Sequence, residues 1–226
     1  FASFQAIKYN KMTVILYPLR ALVNDQYQSL QKKFSQLGIK VYKGNGSLTV
    51  KEREELNYAL ENEEVDILLT TPEFIEYNLD KFKKNKEKID FFVVDESHHI
   101  GLSSNIFRPA YKRIPNLLTE LNHPLVLAVT ATANNQVAQE IVNNLGINKL
   151  VIDDYVRDNL KIVDKRNYID KEKYINKVIQ KEEKTIIYVN SREGSIEIAS
   201  KLREFNPEFA DKIIFYNAGL TNEERN

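Results

Sequence analysis

The apolar positions of this chain fall into short unbroken runs, separated by stretches in which they recur every three or four residues. Met12–Tyr17 (MTVILY), Val65–Thr70 (VDILLT), Ile89–Val94 (IDFFVV) and Pro124–Val129 (PLVLAV) read as strands buried on both faces of a parallel sheet; a strand with one wet face alternates instead. Ile39–Tyr42 reads as a shorter strand and Gly44–Ser47 as a turn. Leu19, Leu22, Val23, Tyr27, Leu30, Phe34 and Leu37 hold helical spacing up to Gly38, which is placed to end a helix. Thr49 and Glu52 form a capping-box pair that opens the next helix. Thr71 is placed to cap a helix starting at Pro72, where a missing N–H costs nothing. Further helices are expected from about Arg108, interrupted near Pro115, and over Gln136–Leu145, closed by Gly146.

Strands and helices alternate, the sequence form of a parallel sheet covered on both faces. The pattern loosens over 153–159, a polar linker, and then resumes. Lys161–Ile169, Thr185–Val189 and Lys212–Tyr216 read as strands. Lys171–Glu182 and Arg192–Phe205 read as helices, the latter capped by Ser191. The expected division is one α/β domain over 1–156 and part of a second over 157–226.

Composition narrows the function classes. The 226 residues are 42% hydrophobic and 28% charged, with no cysteine, so a disulfide framework and a thiolate metal site are excluded. Of the three histidines, His98 and His99 are adjacent, and adjacent side chains on a regular element point apart, which argues against a zinc site. No apolar run has membrane-spanning length and no signal peptide is visible; no membrane partner is expected, and the expected location is the bacterial cytoplasm or a eukaryotic nucleus. Charge balances at 32 basic and 32 acidic residues, so a nucleic-acid partner would have to be held by a local basic groove. The run Lys81–Lys88 reads as a solvated helix end rather than such a groove.

The candidate chemistry lies at the strand ends. The run Ile89–Val94 stops at Asp95-Glu96-Ser97-His98, and in open α/β sheets ligands sit beyond the carboxyl ends of the strands. Acids placed there can hold a hydrated Mg²⁺ and orient a water for attack on a phosphate. The competing reading is that Asp95 or Ser97 caps a following helix. Other strands end in Pro18-Leu19-Arg20, Thr70-Thr71-Pro72-Glu73, Thr130-Ala131-Thr132, Asn190-Ser191-Arg192 and Asn217-Ala218-Gly219.

In this order the clusters resemble the motor core of a superfamily 2 DExH-box helicase, most like the RecQ group. YPLRALVNDQ (17–26) resembles motif Ia, NGSLTVKERE (45–54) a RecQ-type segment and LLTTPEFI (68–75) motif Ib. VVDESHHI (93–100) resembles motif II, the Walker B box. FRPAYKRI (107–114) resembles the end of the aromatic-rich loop, LAVTATA (127–133) motif III and RDNL (157–160) the junction between motor domains. IIYVNSREG (186–194) resembles motif IV, and FYNAGLTNEER (215–225) the approach to motif V. The resemblance implies a RecA-like domain followed by part of a second, an ATP- and Mg²⁺-dependent activity, and single-stranded or forked DNA as partner. It implies that Asp95 holds Mg²⁺ through water, that Glu96 orients or deprotonates the attacking water, and that His98, Thr130 and Thr132 couple the nucleotide site to DNA. Arg20, Thr71, Phe107, Arg108, Ser191 and Arg192 would contact DNA, with helix capping or a surface ion pair as the plain alternative for Arg20, Thr71 and Ser191.

Two family features are missing. None of the seven glycines is followed by lysine, so there is no G-x-x-x-x-G-K-[ST] phosphate loop, and no arginine follows Arg225. The ends look cut: the loop is expected just upstream of Phe1 and motifs V and VI after Asn226, so this stretch alone is expected to be inactive. After the histidines stands IGLSSNIFRP, with Ser103 and Asn105 where the family pattern carries a Trp and a further His, and with no tryptophan in the chain. Alternatives are an RNA motor of the same fold, which DESH and TAT in place of DEAD and SAT disfavour, and a non-catalytic scaffold, which the retained acid pair disfavours. No second acidic cluster or glycine fingerprint supports a nuclease or methyltransferase.

Overall fold

Strands with apolar side chains on both faces can be covered only from both sides, and the helices of this chain do that. The computed structural model describes residues 1–101, 109–153, 158–167, 169–181, 183–221 and 224. Two compact units are present, Phe1–Asp153 and Asp154–Asn226.

In the first unit β1 (Met12–Leu16), β2 (Val41–Gly44), β3 (Ile67–Thr70), β4 (Ile89–Val94) and β5 (Leu125–Ala128) form one sheet of order β2-β3-β1-β4-β5. Every neighbouring pair is parallel. Successive residues of β1 face opposite sides. Met12, Val14 and Leu16 join a large core with Leu56 and Leu60 of α3 (Val50–Glu61), Leu117 of α7 (Ile114–Glu120) and Ile141 of α8 (Asn135–Leu145). On the other side Ile15 packs with Ala6 of α1 (Ala2–Tyr9) and Val23 of α2 (Arg20–Phe34). The remaining helices of this unit are α4 (Pro72–Tyr77), α5 (Leu79–Lys84) and α6 (Pro109–Lys112).

The helix boundaries follow local chemistry. Gly38 and Gly146 close their helices in the left-handed conformation, at φ of 71° and 63°. The capping box is reciprocal: Glu52 N–H donates to Thr49 Oγ1 at 3.2 Å, and Thr49 N–H to Glu52 Oε2 at 2.8 Å. Lys43 adds an ion pair at 2.8 Å. Pro115 sits in the first turn of α7 and sets the break after α6.

Several expectations need correction. Thr71 occupies the N-cap position of α4, but its side chain makes no cap bond. β2 lies two residues later than its apolar run implied, because Gly44 pairs in register with Thr70 instead of turning away. A Cβ at Gly44 would lie 2.6 Å from the Phe74 ring, so only glycine fits that close approach. The helix α1 has no counterpart in the sequence reading.

The second unit contains α9 (Lys171–Ile179) and α10 (Arg192–Phe205), followed by a 3-10 turn over Pro207–Lys212. The strands expected at 161–169, 185–189 and 212–216 are not formed among the described residues. Ile186, Tyr188, Ile214 and Tyr216 are 70–91% exposed. Strand-like sequence becomes a strand only when a neighbour completes its hydrogen bonds, and these segments have no such neighbour among the described residues.

Phe92 is fully buried at the centre of β4. Phe92→Ala is expected to cost about 3–5 kcal/mol of unfolding free energy, read from urea denaturation. A second test uses Glu52, whose carboxyl is lowered from the ordinary 4.5 to about 2, first by Lys43 and then by Thr49. A carboxyl lowered on folding stabilises above its unfolded pKa and loses that effect as pH falls through its folded one. The stability gap between wild type and Glu52→Gln is therefore expected to be full at neutral pH and to shrink from about pH 4.5 toward 2 in thermal melts at stepped pH.

Candidate active site and nucleic-acid interface

The parallel sheet places the residues following every strand at one edge, and the candidate site residues of the first unit lie there. Asp95 N–H continues the ladder by donating to Leu16 carbonyl at 3.0 Å. The chain then turns sharply, because Glu96 adopts a left-handed conformation at φ 49° and ψ 43°. A non-glycine residue held there stores about 1–2 kcal/mol, a strain that persists only when the surroundings enforce it. Ser97 N–H donates to Val129 carbonyl at 3.0 Å, so the turn is tied to the end of β5. Tyr111, fully buried, donates its hydroxyl to Asp95 carbonyl at 3.0 Å.

The capping alternative for Asp95 and Ser97 is not realised. A 3-10 helix follows over Ser97–Ile100 with Glu96 at its N-cap and no side-chain cap bond. Asp95 Oδ1 accepts instead from the N–H of Glu96 at 2.9 Å. Ser97 is buried, and its hydroxyl has no hydrogen-bond partner among the described residues.

His98 is the junction of the cluster. Its Nδ1 lies 3.1 Å from Glu96 Oε2, 2.9 Å from Thr130 Oγ1 and 3.3 Å from Thr132 Oγ1. Thr132 N–H also donates to Thr130 Oγ1 at 3.2 Å. A hydroxyl can donate or accept, so either tautomer of the ring can bond the threonines through Nδ1, and Glu96 meets the same nitrogen as an ion-pair partner when the ring is protonated. His98 and His99 rings lie 4.2 Å apart, and His99 meets Tyr111 edge-on at 5.2 Å. Asp95, Glu96 and His98 are half-buried, open enough to reach a ligand. The Tyr17 phenol is pushed up by burial and then by the negative charge of Asp95, which places Tyr17 in the same electrostatic neighbourhood.

Arg20 begins α2 after β1, and Thr71 precedes α4 after β3. Both therefore share the sheet edge with the acid pair. Phe107 and Arg108 lie outside the described residues. Ser191 and Arg192 belong to the second unit, where Ser191 Oγ caps α10 by accepting from Gly194 N–H at 2.9 Å. Asn217 Nδ2 donates to Ser195 Oγ at 3.0 Å, and Asn217 Oδ1 accepts from Gly219 N–H at 2.8 Å. The segments at 190–192 and 217–219 thus meet, and Asn217 Nδ2 also donates to the Arg192 carbonyl at 3.5 Å. The sequence reading missed Tyr111 and Tyr17; both are aromatic residues whose polar contact is to backbone or through the field, which leaves no motif.

Magnesium fits the acid pair in a limited way. Among the described residues no group of three or more His, Cys, Asp or Glu could enclose a metal ion. Asp95 Oδ2 has no protein partner among them, which suits a cation held mostly by water and phosphate oxygens, the usual Mg²⁺ arrangement. No helix among the described residues is long and apolar enough to cross a membrane.

Three comparisons complete the description. A family model described as DEAD/DEAH box helicase matches residues 1–141. The probable ATP-dependent DNA helicase RecS of Bacillus subtilis is 31% identical over 223 residues, 95% of this chain and 42% of that protein. The ATP-dependent DNA helicase RecQ of Haemophilus influenzae is 28% identical over 201 residues, 88% of this chain and 32% of that protein. In fold, the DUF1998 helicase MrfA bound to DNA and AMPPNP superposes with a TM-score of 0.70 at 18% identity, over 98% of this chain and 33% of that one. The chain thus spans less than half the length of these relatives.

Tyr111→Phe removes only the hydroxyl that supports the Asp95 carbonyl. It is expected to cost about 1 kcal/mol of stability in urea denaturation, with the sheet intact by circular dichroism.

Proposed function

Because the chain belongs to the DEAD/DEAH box helicase family, we propose that it is the motor core of an ATP-dependent DNA helicase or translocase that moves on single-stranded or forked DNA. In this reading 157–226 is part of a second RecA-like domain. The observation that carries the proposal is the contact of Glu96, His98, Thr130 and Thr132 through one imidazole nitrogen at the end of the central strand.

Asp95 would hold a hydrated Mg²⁺ with its outer carboxylate oxygen, while its carbonyl and Oδ1 are fixed by Tyr111 and the Glu96 N–H. When bound, Mg²⁺ neutralises charge that develops on the phosphate oxygens. Glu96 accepts a proton from the attacking water or orients it, and its kinked backbone sets the carboxylate beyond the strand end. His98 Nδ1 touches Glu96 on one side and the hydroxyls of Thr130 and Thr132 on the other. Movement of the 130–132 segment therefore alters the surroundings of Glu96, which is the coupling a motor needs between strand binding and hydrolysis. Arg20, Thr71, Ser191 and Arg192, with Phe107 and Arg108, contact the sugar–phosphate backbone and position it without reading sequence.

DNA is preferred over RNA because the relatives at 28% and 31% identity named above are DNA helicases. The test is steady-state ATP hydrolysis by the intact protein with and without single-stranded DNA. Glu96→Gln is expected to lower DNA-stimulated turnover by about 10²–10⁴-fold while ATP binding is retained. Turnover that persists in Glu96→Gln would overturn the role of this residue, and the absence of turnover in the folded wild type would overturn the motor reading.

A further inference from the structure

Three features of the first unit converge on one short turn. Asn45, between β2 and α3, is fully buried although it is polar. Three of the four hydrogen-bonding positions of its amide are used. Nδ2 donates to Asn24 Oδ1 of α2 at 3.1 Å, and Oδ1 accepts from both the N–H and the hydroxyl of Ser47, at 2.8 and 2.6 Å. The same turn is anchored on its other side, where Thr70 Oγ1 donates to Gly44 carbonyl at 2.6 Å. The turn is thereby fastened to α2 and to the end of β3.

Gly46 sits at the exposed tip of that turn. A Cβ there would fall 2.9 Å from Cζ and Nη2 of Arg20 and 3.3 Å from Nη1. All three distances are short, so the guanidinium lies close against Gly46, in the space a side chain there would occupy. Arg20 and Asn24 are one helical turn apart on α2 and share a face. Arg20 is exposed and makes no ion pair among the described residues, so its charge is presented to solvent beside Gly46. An arginine side chain otherwise samples many rotamers, and ordering it costs free energy when it binds.

We propose that Asn45 is a positioning residue for strand binding: through Asn24 it holds the Gly44–Ser47 turn against α2, so that Gly46 seats the Arg20 guanidinium where it meets a nucleic-acid phosphate. The inference rests on the reading of Arg20 as a strand contact. It links Arg20 to the Thr70–Thr71 strand end through Gly44, so two contacts far apart in sequence share one frame.

The test is binding of a fluorescein-labelled oligothymidylate to the intact protein, by anisotropy at several salt concentrations. Arg20→Ala is expected to raise Kd about three- to tenfold and to reduce the slope of log K against log salt by about 0.7, one phosphate contact on a single strand. Asn24→Ala removes the tether and Gly46→Ala puts a methyl group into the guanidinium seat. Each is expected to give most of the same rise in Kd, and each to be silent when added to Arg20→Ala. Turnover at saturating DNA and the KM for ATP are expected to stay at wild-type values in both. If Arg20→Ala weakens DNA binding while Asn24→Ala and Gly46→Ala do not, or if their effects add in full to that of Arg20→Ala, the positioning role is overturned. If Arg20→Ala binds as the wild type does, the strand-contact reading of Arg20 falls, and this inference with it.

Discussion

The structure of the first unit depends on the pairing of β4 with β1 on one side and β5 on the other. A central strand buried on both faces has no access to water, so each of its N–H and C=O groups must be matched by a neighbour. The match continues past the strand, since Asp95 N–H still bonds Leu16 carbonyl and Val129 N–H still bonds Val94 carbonyl. This extension makes the site possible. It fixes the backbone on which Asp95 stands, and the break in pairing at the left-handed Glu96 is where the chain is free to place chemistry. Parallel pairing has a further consequence: it sends all five strand ends the same way, so residues from 18 to 132 meet at one edge without a long loop to carry them.

That edge divides into two parts with different physics. Around Asp95 the groups are acids and an imidazole, half-buried, on a backbone held by the Tyr111 hydroxyl and the Ser97 N–H. Around Arg20 they are a guanidinium, glycine backbone and side-chain amides. The first arrangement suits a hydrated cation and a phosphate undergoing attack; the second suits a phosphate that is only held. β1 contributes to both, since its end carries Tyr17 toward Asp95 and Arg20 toward Gly46.

Much of this was legible in the sequence because its causes are local or periodic. The run Ile89–Val94 gives its strand without context, and the Thr49–Glu52 pair and the glycines at 38 and 146 mark helix ends by side-chain chemistry alone. What could not be read depends on neighbours. The apolar alternation at Ile186–Tyr188 and Ile214–Tyr216 has the right period for strands, yet nothing pairs with it among the described residues. Thr71 has the cap residue type at the cap position, but its side chain makes no cap bond. Asn45 looked like an ordinary turn residue, and only its complete burial, with Asn24 brought to it by α2, reveals that it joins two elements. The roles of Asp95, Glu96 and His98 were expected from motif order. The link of His98 to Thr130 and Thr132 was expected from the same resemblance, but the approach of Glu96 to the same Nδ1 was not, because it depends on the turn that Glu96 makes after β4.

The shared Nδ1 also constrains how such a site can switch. Glu96 and the 130–132 segment meet at the same imidazole nitrogen, so a shift of that segment changes what His98 offers the Glu96 carboxylate. In the motor proposed above, a group that touches both segments is where a modest difference in affinity for either ligand can be passed to the other.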